Sequence, residues 1–433
     1  MKTILHDNVT VRDGQLFFAD ANVNELIKEY GTPTFLLDEN KIREHINEYK
    51  SAMKEYFGEG SIPLYASKAC SFKELYRVVA SEGIGTDIVS PGELYTAVAS
   101  GFDMSKAFFH GNNKTDRDIE FAMDSGLGYF VVDGIEELDA IERIALKKGI
   151  KQKILLRITP GIDPHTHKKI STGGVDSKFG SAIATGLAEK MVKEALKRYA
   201  ITLKGFHCHI GSQIFEVDPY IDAIEIMTEF IADMKDKFDL VTDILNLGGG
   251  FGVRYIDSDP EISYTENIKA IGIELDKKCK SLKIKKPVIY LEPGRSLVAD
   301  AGMTVYEVGS VKSIPGIKNY VSIDGGMTDN PRYTLYQSPY TVISVTKPEA
   351  PCNFKCSIAG RCCESGDIIQ EDVMLPKPER GDLIAVLVTG AYNYSMSSNY
   401  NRIPRAPIVM IYNGVARLAV KRETYEDLVL NDM

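Results

Sequence analysis

The sequence predicts a (β/α)8 barrel joined to a second, all-β domain. Three observations predict it. Eight short β-rich runs, each closing on a polar or glycine cluster, recur between residues 60 and 295 with helix-like stretches between them. Repeated β-α units read as a parallel sheet, and eight of them suggest a closed barrel. After residue 296 the chain stays β-rich but loses long helical periods, which marks a separate all-β domain. The length, 433 residues, has room for one large barrel and a smaller partner domain at about 150 residues per domain. The expected boundaries are 31–295 for the barrel and 1–30 with 296–433 for the β domain. A doubly wound open sheet is the competing arrangement on pattern alone.

The barrel runs are IPLYASK (62–68), GTDIVS (85–90), KAFFHGN (106–112), GYFVVD (128–133), KILLRITP (153–160), LKGFHCHIG (203–211), ILNLGGGFG (244–252) and VIYLEPGR (288–295). Helix candidates between them, such as SFKELYRVVASEG, PGELYTAVASG and TDRDIEFAMDSG, open on acidic or Ser/Thr residues and close on Gly. Those are the residues that satisfy the free N–H and C=O groups of helix ends. The β domain is read from TVYEVGSVKSI, NYVSIDGG, TVISV, DLIAVLVTG and PIVMIYNGVARLAV. Two short runs near the start, TILHDN and LFFADANV, are expected to join it.

Composition removes several classes. Apolar residues make up 44% and charged residues 26%, ordinary for a globular chain and unlike disordered, collagenous or coiled-coil sequences. No apolar run reaches the roughly 18 residues of a spanning helix, and the polar start MKTILHDNVTVRDG predicts no signal peptide. The net charge of −9 argues against nucleic acid or an anionic membrane as the main partner. Seven cysteines, at 70, 208, 279, 352, 356, 362 and 363, are an odd number without a secretion signal. They read as reduced thiols in a cytoplasmic protein. The last four are spaced C-x3-C-x5-C-C, not the paired C-x2-C of zinc ribbons, so no metal is expected.

Barrel chemistry gathers at the C-terminal ends of the strands. Those ends carry Lys68, Asp87 and Ser90, His110 and Asn112, Asp133, Arg157, His209 and Ser212, Gly248–Gly250, and Glu292 with Arg295. Lys68 reads either as a solvated lysine or as a partly desolvated amine able to form a Schiff base. Gly248, Gly249 and Gly250 let backbone N–H groups approach an anion without Cβ interference, so phosphate is the natural ligand and a tight turn the plain alternative. A dinucleotide fingerprint fails because Val253 stands where its third Gly is needed. A P-loop fails because no G-K-[ST] follows.

His207 and His209 alternate on a strand and share a face. A metal pair, a ring stacked on a planar ligand and a satisfied core histidine all remain open. His165 and His167 alone do not define a metal site. Glu292 and Arg295 form either a local salt bridge or a pair of grips, one on a protonated ring nitrogen and one on a substrate carboxylate. An amine nucleophile, a phosphate site, a ring stacker and a ring-nitrogen partner together describe pyridoxal 5′-phosphate (PLP).

Six motifs, YASKA (65–69), HIGSQ (209–213), GGGFG (248–252), EPGR (292–295), CESGD (363–367) and GAYNYSMSSNYN (390–401), resemble those of the PLP-dependent decarboxylases related to alanine racemase. The resemblance spans about residues 30 to 405. STGGVDSKFG (171–180), with Arg332 and Tyr336 in DNPRYTLY, favours the branch acting on diaminopimelate. It implies the alanine racemase-like, fold type III barrel. Lys68 would carry PLP as a Schiff base and His209 would stack on its ring. Gly248, Gly249, Gly250, Gly294 and Tyr392, with Ser212, would bind the phosphate. Glu292 would keep the pyridine nitrogen protonated, where a racemase of this fold places an arginine.

The same resemblance gives the small-molecule amino acid substrate its contacts. Arg295, beside the cofactor, would join Arg332 and Tyr336 on the unreacting carboxylate, with Tyr392 nearby and Glu364 at the distal ammonium. Cys363 would donate the proton. Cys363 and Glu364 would come from a second subunit, so a homodimer is implied. The implied reaction is decarboxylation of meso-2,6-diaminopimelate to L-lysine, with a decarboxylase of another basic amino acid or of carboxynorspermidine, or a non-catalytic PLP-binding protein, as the competing readings. Two departures stand out: Pro91 in SPGEL where Gly is usual, which fits the first helical position, and Asn393 after GAY where Gly is usual.

Overall fold

Eight parallel strands close on themselves. In order they are Ile62–Ala66, Gly85–Ile88, Ala107–Phe109, Tyr129–Val132, Gln152–Thr159, Ile201–His207, Ile244–Asn246 and Val288–Leu291. Each pairs with the next, and the eighth returns to the first through Tyr290 opposite Ile62. That last pairing excludes the open doubly wound sheet. The computed structural model describes residues 2–4, 6–162 and 178–433; most of STGGVDSKFG, with His165 and His167, lies outside them. Among the described residues no helix is long and apolar enough to cross a membrane.

The barrel is filled by side chains. Leu64, Phe108, Val131, Leu155 and Ile244, from five different strands, form one buried cluster, with Tyr129 and Tyr290 packed against it. Phe108 and Tyr129 stack with centroids 4.4 Å apart. The sixth strand carries a bulge: Ile154 faces Leu203, but Leu155 faces Gly205. Only Gly fits there, since a Cβ on Gly205 would lie 1.8 Å from the Ile244 carbonyl oxygen. An extra residue shifts the alternation by one. Phe206 then packs outward on Phe230, centroids 5.1 Å apart, and His207 turns inward.

Helices form where the caps were read. Lys73–Ser81 buries Leu75, Tyr76, Val78 and Val79, a face spaced for a helix packed on one side. Each buried side chain contributes roughly 1.5–3 kcal/mol. The helix Pro91–Ser100 starts at Pro91, with the Ser90 hydroxyl accepting from the Glu93 N–H, and ends on Gly101 at φ 82. So Pro91 is an ordinary first helical residue and Ser90 is a cap. Asp116–Asp124 opens with a reciprocal capping box from Thr115 and Asp118.

The chain divides into two units, His45–Gly252 with Ile262–Gly294, and Met1–Glu44 with Val253–Glu261 and Arg295–Met433. The second holds two sheets. One has four antiparallel strands, Lys2–Ile4, His6–Arg12, Gln15–Phe18 and Ala21–Asn22. The sequence reading saw two runs here. LFFADANV is divided by a turn at Ala19 and Asp20, and the hairpin between the two runs turns on Asp13 and Gly14, all four at positive φ, the usual chemistry of a two-residue turn.

The larger sheet is built around the long strand Gly302–Ile314, which pairs with Lys318–Ile323, Leu383–Leu387 and Thr34–Asp38. Ile408–Tyr412 runs parallel to Thr34–Asp38. Thr34–Asp38 lies in the stretch read from sequence as barrel, yet it pairs in this sheet. Two of its strands, Phe354–Ala359 and Ile368–Leu375, went unread. The second carries Gln370, Glu371 and Asp372 mid-strand, which breaks the apolar pattern.

Candidate active site

Lys68 lies on the single turn Ser67–Ala69 directly after the first barrel strand. Ser67 and Ala69 are buried and Lys68 between them is exposed. Its positive charge acts on Asp87, Glu93 and His209, which places these groups around it.

Glu292 follows the eighth strand and is buried. Its Oε1 accepts from Asn246 Nδ2 at 2.7 Å and has His110 Nε2 at 3.0 Å, off the ring's N–H axis. Its Oε2 is 3.2 Å from His207 Nε2. Burial acts to raise this carboxyl, but His110 and His207 outweigh it and hold it well below the usual carboxylate range. Burial pulls His110 down to about 4, against the pull of Glu292, and lowers His207 as well. A neutral imidazole has one N–H, and the contact with Glu292 Oε2 assigns it to Nε2 in His207. Asp87 behaves oppositely: burial first, and the negative Glu292 second, push its carboxyl well above its ordinary value.

The glycine turn follows the seventh strand. A Cβ on Gly249 would sit 2.0 Å from the Glu292 carbonyl oxygen, and one on Gly250 (φ 108) 2.3 Å from that of Gly211. All three glycine carbonyls accept hydrogen bonds, from Glu292 N–H, the Tyr220 hydroxyl and Ile214 N–H. Gly248 N–H donates to Asn246 Oδ1 at 2.9 Å. Among the described residues the turn's own bonds use neither the Gly249 nor the Gly250 N–H. His209 packs on this turn, since a Cβ on Gly248 would meet its Nδ1 at 2.7 Å. Burial, then Lys68, hold the ring well below the ordinary histidine range. The sixth strand ends at His207, so the alternation read through to His209 stops short. Ser212 is half-buried in the next loop.

In the other unit a cationic group is held by phenols. Arg332 is buried, donates to the Tyr340 hydroxyl at 2.8 Å and lies 4.5 Å from the Tyr255 ring. Arg295 is buried, donates to the Tyr255 hydroxyl at 2.8 Å and sits 4.8 Å from the Tyr392 ring. Asn393 is fully buried and accepts from the Tyr340 hydroxyl at 3.1 Å, which gives the unusual residue after GAY a job; Tyr392 itself is at φ 60. Tyr336 is half-buried on the short helix Arg332–Tyr336.

Cys363 and Glu364 are exposed on a loop organised by Asp367, whose carboxylate accepts from Met327 N–H at 2.6 Å and Cys362 N–H at 2.7 Å. Burial, then Asp367, push the Cys362 thiol up to about 12, which makes it a poor acid–base group beside its exposed neighbour.

A family model described as pyridoxal-dependent decarboxylase, pyridoxal binding domain, matches residues 39–299. A Bacillus methanolicus protein named diaminopimelate decarboxylase is 44% identical, over 95% of this chain and 95% of its own. Its Bacillus subtilis namesake is 43% identical over 97% and 95%. The crystal structure of diaminopimelate decarboxylase from M. jannaschii in complex with L-lysine superposes with a TM-score of 0.93 at 35% identity, covering 100% of this chain and 99% of that one. The chain belongs to the diaminopimelate decarboxylase family.

The PLP of this family fits the residues present. A lysine, a glycine turn with two uncommitted N–H groups and a buried anionic carboxylate stand in one unit, matching aldehyde, phosphate and ring nitrogen. His110, His207 and Glu292 also bring ligand atoms within 4.8 Å of one another, a spacing that a metal can use. Beside them Gly248 N–H fixes the Asn246 Oδ1, so that side chain turns an N–H toward Oε1. Sequence reasoning named His110 only as a strand end and left Asn246, Tyr255 and Tyr340 without a role. Tyr255 follows the glycine motif closely enough to have been noticed.

Proposed function

We propose that this chain removes one carboxyl group of meso-2,6-diaminopimelate as CO2 and leaves L-lysine, the last step of lysine biosynthesis. The observation that carries the reading is Glu292, a buried carboxyl held well below its usual range by His110 and His207, in a chain that matches named diaminopimelate decarboxylases along nearly all of its length.

PLP, when bound, supplies an electron sink for the pair left at Cα as CO2 departs. Lys68 would hold the cofactor through Nζ. Glu292 holds a proton on the ring nitrogen, because a nearby anion favours the charged form. His209 covers the ring, and the Gly248–Gly250 turn, Gly294, Ser212 and Tyr392 take the phosphate. Arg295, Arg332 and Tyr336 bind the carboxylate that does not react, and Glu364 the distal ammonium. Cys363 returns a proton to Cα. Cys363 and Glu364 belong to the second copy of a homodimer, consistent with their exposure here. All seven thiols are free, in keeping with a cytoplasmic enzyme.

Incubation with meso-2,6-diaminopimelate and added PLP tests the reading. Lysine and CO2 should appear in equal amounts. Unchanged substrate in the presence of bound cofactor would sink it.

A further inference from the structure

We propose that His110, His207 and Asn246 form a donor cradle that presents Glu292 as a hydrogen-bond acceptor to the cofactor's ring nitrogen, and that all three are positioning residues for the decarboxylation. The inference rests on the PLP reading above. The cradle is made by three separate strands: His110 follows the third, His207 ends the sixth and Asn246 ends the seventh. No local sequence requirement brings them together.

The stereochemistry divides the two carboxylate oxygens. An ionised carboxylate oxygen has two lone pairs. Oε1 accepts from Asn246 Nδ2 at 2.7 Å and has His110 Nε2 packed against it at 3.0 Å, off the hydrogen-bond axis, so both sides of that oxygen are covered. Oε2 faces His207 at 3.2 Å, which uses one. The remaining Oε2 lone pair is the acceptor for a ring N–H. The two imidazoles stand edge to face, centroids 4.8 Å apart at 72°, so each ring limits the rotation of the other. Asn246 cannot flip without losing Gly248 N–H. Among the described residues His207 Nδ1 has no hydrogen-bond partner, and Nε2 is directed at Glu292 Oε2.

The test uses the holoenzyme with PLP labelled with nitrogen-15 in the ring, and reads the ring-nitrogen chemical shift together with kcat and KM. His110→Asn and His207→Asn stay polar but end short of Glu292; His110→Gln and His207→Gln reach it with an amide N–H. Wild-type enzyme should show a protonated ring nitrogen. The Asn variants should shift that signal toward the unprotonated form and lose roughly tenfold or more in kcat, with KM little changed. The Gln variants should recover both. An unprotonated ring nitrogen in the wild type overturns the proposal. So does an unmoved nitrogen signal in the Asn variants, or a kcat loss that Gln does not repair. If no labelled cofactor is retained by any form, the PLP reading itself has failed, an outcome distinct from a bound but unprotonated ring.

Discussion

The side-chain amide of Asn246 joins the glycine turn to Glu292: its Oδ1 accepts Gly248 N–H at 2.9 Å and its Nδ2 donates to Glu292 Oε1 at 2.7 Å. Glu292 N–H in turn donates to the Gly248 carbonyl. The proposed phosphate cradle and the proposed ring-nitrogen partner are therefore one hydrogen-bonded unit. Displacing either end moves the other.

The turn itself has no spare space. Gly249→Ala places a Cβ 2.0 Å from the Glu292 carbonyl oxygen. Overpacking of this kind costs about 1–3 kcal/mol, and here it also pushes on the strand end that carries Glu292. A lower Tm and weaker PLP binding are expected together, measured by thermal unfolding and by cofactor titration. A variant that binds PLP as the wild type does contradicts the role given to the turn.

Glu292 should be irreplaceable by its neutral isostere. Glu292→Gln keeps size but turns one acceptor oxygen into an amide donor facing the cradle, and it removes the charge that holds the ring proton. The loss in kcat should be about a hundredfold or more, in the range seen when one electrostatic stabiliser is removed. Lys68→Ala should abolish both turnover and covalent retention of PLP, checked by borohydride reduction and peptide mass. Full activity in either variant removes that residue from the mechanism.

Stability should fall on the acid side through His110. Its folded pKa, depressed to about 4, lies below the unfolded value of about 6.5. Between these values the unfolded chain holds more protons, so stability rises with pH. It is intact above about 6.5 and is lost as pH falls through about 4. His110→Gln should flatten that part of a Tm-against-pH curve. An equally steep curve in the variant assigns the acid sensitivity elsewhere.

Much of this was legible in the sequence, and the reason is chemical. Charged and polar residues at buried strand ends are improbable without a use, so Lys68, Glu292 and the glycine turn announced themselves. The caps at Ser90 and Thr115 and the eight β runs did the same for the barrel. What stayed hidden depends on closure. His110 and His207 look like isolated histidines until the barrel brings the third and sixth strands to face Glu292. The bulge at Lys204 decides which of Phe206 and His207 turns inward, and no alternation pattern shows a bulge in advance. Strand Ile368–Leu375 hid behind its polar middle, and Thr34–Asp38 was assigned to the barrel because strand pairing partners cannot be read from a run of five residues.

Arg332 should matter most for a substrate with a second carboxylate. Arg332→Ala leaves that group with one of its two buried cations, a loss of about 2 kcal/mol or more, roughly thirtyfold in KM. A simple diamino acid lacks the carboxylate and should be affected far less. Equal losses for both would move Arg332 from substrate contact to scaffold.

The shared-site proposal has its own signature. Lys68→Ala and Cys363→Ala should each be inactive alone. Mixed and reassociated, they should recover part of the activity, because a mixed dimer holds one site with both residues intact. No recovery after demonstrated subunit exchange places Cys363 in the same chain's site or outside catalysis.

The measurement that bears most directly on the whole account is a competition. Purified protein with added PLP is offered meso-2,6-diaminopimelate beside L-ornithine, L-arginine, D-lysine and carboxynorspermidine, and each product is quantified. The account predicts lysine from diaminopimelate and no appreciable turnover of the others. Preferential turnover of any amino acid without a second carboxylate would contradict it.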